Sequence, residues 1–278
     1  MEQRIIVSGD NALRLFSVPE LTPLGRIPLE GAGALCGVGG TVFCACEPGG
    51  AIWRLGGDDL VPTALFAGGP GVCDLALSPD GERLYALCAD ADSVLMLDAR
   101  SGAPQLLMRA GLNPCRMALD ASGRVLAVAG GAYSAAVLLC AHTLRMVSCV
   151  QMPGPVYDVA HGVQSLHALC LNESLASTLA TASGGMIRAQ LSLAGMPGAL
   201  LARPDGLLAA TQDHLYALAP DGVRLLRGRD GPGRAARMLL AQGRLLVCDA
   251  LSDALFVLGR RSGRWQLVCE HAHDVLLL

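Results

Sequence analysis

A chain of 278 residues whose 21 basic and 24 acidic side chains leave a formal charge of −3 is long enough for one large domain or two ordinary ones. It is too evenly charged to coat nucleic acid wholesale. With 16% charged and 52% hydrophobic residues, a sizeable core is expected and disorder is excluded.

The composition closes further doors. All 21 basic residues are arginine, and a chain without lysine is neither a P-loop nucleotidase, nor a Schiff-base enzyme, nor a Ser-x-x-Lys hydrolase. The 11 cysteines are odd in number. The opening Met1-Glu2-Gln3-Arg4 leads into an apolar run too short for a signal peptide. Both features predict a cytoplasmic protein with reduced thiols.

Taken in chain order, the first elements are short strands at Arg4–Asp10, Leu13–Val18 and Leu24–Leu29. A repeat then becomes legible. Cys73-Asp74-Leu75-Ala76-Leu77-Ser78-Pro79-Asp80-Gly81 reads as a strand and a turn, and Cys115 to Gly123 restates it one period later. Weaker copies begin at Cys36, Asp158, Leu200 and Met238. Aligned on Gly37, Ala76, Ala118, Ala160, Leu201, Leu239 and Leu276, the period is about 40 residues, the length of a repeated structural unit.

Each such strand is followed by a second, as at Leu84–Cys88, Leu126–Ala129, Leu166–Cys170 and Leu245–Cys248. A polar turn leads to a third, as at Val94–Leu97 and Leu255–Leu258. Hairpins at Arg100-Ser101-Gly102, Pro220-Asp221-Gly222 and Arg261-Ser262-Gly263 turn into a fourth, each with a glycine for the reversal. One repeat is therefore a four-stranded antiparallel sheet. The uncharged stretch Val125–Leu144 is long enough to imitate a membrane span, but Gly130-Gly131 and Ser134 interrupt it. The repeat assigns it to two strands, so no membrane association is expected.

The chain enters at a second strand and ends at Asp274-Val275-Leu276-Leu277-Leu278, which matches the first strand Asp74-Leu75-Ala76-Leu77-Ser78. Seven sheets then close into a ring, blades I to VII, with the C-terminal strand innermost in blade I and no open edge between blades. The expectation is an all-β, single-domain architecture over residues 1–278.

Leu77-Ser78-Pro79-Asp80-Gly81-Glu82-Arg83-Leu84-Tyr85 resembles the strand–SPDG–strand signature of the YVTN-type, WD40-like seven-bladed β-propellers. Blades II and V depart furthest from that signature, and blade V lacks the Pro-Asp-Gly turn altogether. The resemblance implies the fold and leaves function open, because that family spans surface proteins, binding scaffolds, nucleic-acid binders and relatives of dehydrogenases and lactonases.

Chemical motifs are sparse. Most cysteines stand where valine would serve and read as small buried hydrophobes. The spacing Cys44-Ala45-Cys46 is too short for the usual zinc pairs, and His271-Ala272-His273, although able to present two imidazoles on one side, reads as a polar connection. No metal site is therefore assigned. Neither a Cys-x-x-Cys-His haem attachment nor abundant tryptophan is present, so no cofactor is expected. Asp90, Asp92, Glu173, Asp213, Asp249 and Asp253 sit in or beside second-to-third strand turns, where Asp supports turns; a convergent set would instead suit a lactonase-type hydrolase. Nine arginines fall between Arg224 and Arg264, among them Arg224, Arg227, Arg229, Arg234 and Arg237, and read as solvated turns. The glycines of Gly37-Val38-Gly39-Gly40 and Gly68-Gly69 open no helix and cradle no phosphate.

One constellation follows from the repeat alone. The residue two before each anchor reads, round the ring, Leu35, Asp74, Arg116, Asp158, Ala199, Arg237 and Asp274. The five charged members are expected to meet at the channel mouth in two neighbour networks, Asp74–Arg116–Asp158 and Arg237–Asp274, with a gap near Leu35 and Ala199. No catalytic residue is assigned. The predicted function is a non-enzymatic binding or scaffolding module for a protein partner or a small anionic ligand, with nucleic acid disfavoured and a lactonase-type hydrolase as the alternative.

Overall fold

The computed structural model describes residues 3–47, 49–57, 59–111, 113–212, 214–219, 222–227, 232–259 and 263–278. Its regular elements are 28 strands in seven four-stranded antiparallel sheets, with no helix among the described residues. The innermost strands, in ring order, are Asp274–Leu277, Ala32–Val38, Val72–Leu77, Pro114–Leu119, Val156–His161, Pro197–Arg203 and Ala235–Ala241. Each lies against the next, and the last lies against the first. The stretch that imitates a membrane span forms Val125–Gly130 and Ala135–Cys140 in one sheet.

Burial grades outward along every blade. The second strands are covered on both faces and so are continuous apolar runs, such as Leu84–Cys88 and Leu126–Gly130, rich in alanine and cysteine where neighbouring blades press close. The outermost strands, such as Pro23–Pro28 and Pro104–Arg109, are exposed almost throughout. Seven apolar clusters result, each filling the wedge between two successive blades. With aromatics at only 4%, leucine, valine and alanine fill the wedges, and Phe43 against Phe66 is the one described pair of phenyl rings in contact.

The ring closes as the half-blades at the two ends of the chain suggest. Ile5 pairs with Leu277, Ile6 with Leu276, Val7 with Val275 and Ser8 with Asp274, so Asp274–Leu277 completes blade I and covers an edge that would otherwise present unpaired backbone groups. The Ser78–Gly81 turn is held by its own side chains: Arg83 N–H donates to Ser78 Oγ at 2.9 Å, and Gly81, at φ +72°, donates to Ser78 O at 2.8 Å. In blade IV, Asp120 takes the place of Ser78 and accepts from the N–H groups of Arg124 and Val125. Blade V, without that signature, closes its turn through Gly162 N–H to Ser165 O and a side-chain ladder from Ser165 through His167 to Thr181. Gly102 lies at φ +72° as the hairpin reading requires; Pro220, Asp221, Arg261 and Ser262 of the other two hairpins lie outside the described residues.

Candidate binding site at the channel mouth

In six innermost strands the pairing with the second strand shifts register at one equivalent place. The shifts fall between Ala32 and Leu35, Val72 and Asp74, Pro114 and Arg116, Val156 and Asp158, Pro197 and Ala199, and Ala235 and Arg237. A bulge bends a strand and re-aims the side chain that follows it. Here that residue is the aligned position in every case, and Asp274, opposite Ser8, occupies it in blade I. The five charged side chains therefore converge on the axis.

Three of them also join blades. Asp274 accepts from Val275 N–H at 2.8 Å and from Leu35 N–H of blade II at 2.9 Å. Asp74 accepts from Leu75 N–H at 3.0 Å and from Met117 N–H of blade IV at 2.9 Å. Asp158 accepts from Val159 N–H at 2.9 Å and from Leu200 N–H of blade VI at 2.7 Å. At 2%, 6% and 5% exposure, Asp74, Asp158 and Asp274 are nearly sealed, and a buried carboxylate persists only with such partners. Burial pushes the carboxyls of Asp158 and Asp274 above the ordinary range, against the pull of nearby guanidinium groups.

The arginines do not follow the expected neighbour networks. Arg237 of blade VII pairs with Asp274 of blade I, with Nε at 3.5 Å from Oδ1, as expected, but it also crosses the channel to bind Asp74 of blade III. Burial opposes its charge; Asp74, Asp274 and Asp158 outweigh that effect and hold the proton more tightly than usual. Arg116 reaches the other way, donating to Ala236 O of blade VII at 3.1 Å. Among the described residues Arg116 makes no ion pair, so the Asp74–Arg116–Asp158 network is corrected to an Asp74–Arg237–Asp274 bridge. The physical reason is reach: the Asp side chains are short and already engaged with the next blade's backbone, whereas a guanidinium on a long stem spans the axis. The expected gap is also closed, since Leu35 and Ala199 are 7% and 1% exposed.

The opening lies to one side of those positions. A cavity of about 470 Å³ is lined by Arg116, Arg237 and Asp274, by Gly31 and the start of the blade II innermost strand, Ala32–Ala34, by Val72 and Cys73, and by Asp10, Asn11, Glu47, Asp253, His271 and His273. A second cavity, of about 530 Å³, also meets Arg116, beside Cys73, Cys115 and Tyr157. These three are the extra residues at the bulges, left out of the pairing with the second strand. Burial raises the thiol pKa of Cys73 to about 12 and that of Cys115 to about 11, so both are protonated and unreactive at neutral pH.

The other sequence candidates do not join this site as chemistry. His271 Nδ1 lies 3.0 Å from Asp253 Oδ2 and His273 Nε2 3.4 Å from Asp253 Oδ1; the alternation does place both imidazoles on one partner. No group of three or more His, Cys, Asp or Glu among the described residues is arranged to hold a metal ion. Asp92 accepts from Asn113 N–H, and Asp249 from the N–H groups of Arg234 and Ser252. Asp90 and Glu173 are exposed, and Asp213 lies outside the described residues. The arginine cluster is dispersed: Arg237 enters the channel, Arg234 precedes the innermost strand of blade VII, and Arg244 stands at the opposite end of that blade. Arg224 is on an exposed outermost strand, while the Arg227 side chain, Arg229, Arg260 and Arg261 lie outside the described part.

With this geometry established, known proteins locate the fold. It is a seven-bladed β-propeller. A functionally unknown protein from Desulfotomaculum acetoxidans superposes with a TM-score of 0.84 at 12% identity, over 100% of this chain and 99% of its own. Kuenenia stuttgartiensis hydrazine synthase gives 0.72 at 15% identity, over 82% of this chain and 76% of that one. The dihydro-heme d1 dehydrogenase NirN, in complex with DHE, gives 0.67 at 13% identity, over 99% and 74%. No protein-family model and no curated protein matches the chain. As many as 1411 solved chains share the arrangement, so shape alone selects no function.

Proposed function

We propose that this propeller is a non-enzymatic, cytoplasmic binding module that takes a small anionic ligand at the mouth of its channel. One observation carries this: Arg116 opens onto both cavities with a single described hydrogen bond, to Ala236 O, and no ion pair, whereas Arg237 beside it is neutralised by Asp74 and Asp274. A half-buried guanidinium is worth more to a ligand than one in open water, because competing solvent is partly removed and its planar fork matches carboxylate or phosphate oxygens. Arg237 contributes rigidity, fixing the floor from which Arg116 extends.

A neighbour solved in complex with DHE accords with ligand binding on this arrangement. The eleven free thiols accord with a reducing compartment. The acidic turns lend no support to hydrolysis, because Asp92 and Asp249 are spent on backbone N–H groups.

The test is calorimetric titration of phosphate and succinate into the full chain and into Arg116→Gln. Binding by the parent protein and loss of at least tenfold in affinity in the variant are expected, about 1.4 kcal/mol. Equal affinity in the two proteins defeats the proposal.

A further inference from the structure

Arg116 shares its cavity with acidic side chains. Four carboxylates line it, and three are occupied. Asp10 pairs with Arg26 at 3.5 Å, Asp253 holds His271 and His273, and Asp274 holds Arg237 and two backbone N–H groups. Glu47 is the exception: among the described residues no hydrogen bond or ion pair engages its carboxylate.

The position of Glu47 is built into the fold. It follows the second strand of blade II, Thr41–Cys46, and its backbone N–H donates to Gly31 O at 3.0 Å. Gly31 sits at φ +70°, and a Cβ there would lie 1.6 Å from Glu47 O. Only glycine permits that approach, which seats Glu47 at the cavity wall beside the blade I–II connection.

Among the described side chains of the cavity, Arg116 is a cation with no ion pair, held by a hydrogen bond to Ala236 O and the longer-range attraction of Asp158, and Glu47 is an exposed carboxylate with no hydrogen bond or ion pair. They do not pair with each other, and both line the cavity of about 470 Å³. Resting on the anion-site reading above, we infer that the ligand is dipolar: a small molecule whose carboxylate or phosphate meets Arg116 and whose ammonium meets Glu47. Such a molecule supplies both missing partners at once. A doubly anionic molecule of the same length places its second charge against Glu47, Asp10 and Asp253. A diamine places one ammonium against Arg116. The cavity therefore discriminates by the order of charges along the ligand as well as by size.

Three probes of matched length separate these cases: γ-aminobutyrate, succinate and putrescine, each titrated calorimetrically into the parent protein, Glu47→Gln and Arg116→Gln. For the parent, γ-aminobutyrate is expected to bind more tightly than succinate by roughly two- to fivefold, the effect an exposed carboxylate–ammonium contact supports, and putrescine not to bind. Glu47→Gln is expected to abolish that preference while keeping succinate affinity equal or higher. Arg116→Gln is expected to lose both carboxylate-bearing probes. Succinate binding as well as γ-aminobutyrate to the parent overturns the dipolar inference and leaves the anion site standing. Binding of both that is indifferent to Arg116→Gln, or no binding of either, overturns the two together. Glu47 lies outside the charge network of the channel, so Glu47→Gln is expected to fold as the parent does, with an unchanged melting temperature as the control.

Discussion

Arg237 and Asp74 form an ion pair across the central channel although 163 residues separate them in the chain. The pair joins blades VII and III, which are not neighbours in the ring, and Asp274 of blade I completes it. Its place is where the innermost strands bulge, so a local irregularity of strand pairing becomes a strut across the axis.

Removing one side of that strut is expected to cost far more than removing the other arginine. Arg237→Gln leaves Asp74 and Asp274 buried without their cation, for a loss of about 3 to 5 kcal/mol. Arg116→Gln sacrifices one hydrogen bond to a carbonyl, at about 1 kcal/mol. Chemical denaturation of the two variants checks the order, and equal losses contradict the assignment of Arg237 as the structural partner.

The buried carboxyls make stability depend on pH in a stated direction. Asp158 has a folded pKa raised above its ordinary value of 3.8 by burial, so between those two values the folded state binds the proton more strongly than the unfolded chain. Its contribution is greatest below the ordinary value and declines as pH rises through the folded one. The stability difference between the parent and Asp158→Asn is therefore expected to move against the parent over that interval and then level off. A difference that is flat with pH rules this out.

Closure is testable by truncation. Deleting Asp274–Leu278 removes the innermost strand of blade I, the carboxylate that holds Leu35 N–H, and one partner of Arg237. Loss of cooperative unfolding and aggregation through the uncovered strand edges are expected. A truncated chain with the parent's melting temperature and solubility would falsify the closing role.

At the periphery, Gly102 couples a hairpin of blade III to blade II. It lies at φ +72°, and a Cβ would approach Phe66 Cδ1 to 2.2 Å. Gly102→Ala is expected to destabilise by roughly 1 to 3 kcal/mol through backbone strain and overlap. Adding Phe66→Ala is expected to recover part of the overlap component and none of the strain, so the two changes combine non-additively in a double-mutant cycle.

The repeat, the number of blades, the closing strand and the alignment of Asp74, Arg116, Asp158, Arg237 and Asp274 were all legible in the amino-acid sequence. Each is a consequence of local periodicity: strands alternate, turns carry Asp and Gly, and a unit that cannot bury its faces alone must stack on a copy of itself. Which charges pair was decided only by the tertiary structure. Sequence order made Arg116 the neighbour of Asp74 and Asp158, but the bulges turn these side chains toward a common axis, where distance across the channel and prior hydrogen bonds to the next blade determine the partners. Glu47 carries no signal of a site in the sequence, because it is an ordinary acidic turn residue, and Asp253, legible only as one of several acidic turn residues, meets partners that lie elsewhere in the chain. Only closure of the ring brings the end of the chain, through His271 and His273, beside turns near its beginning. The cavity is a property of that closure.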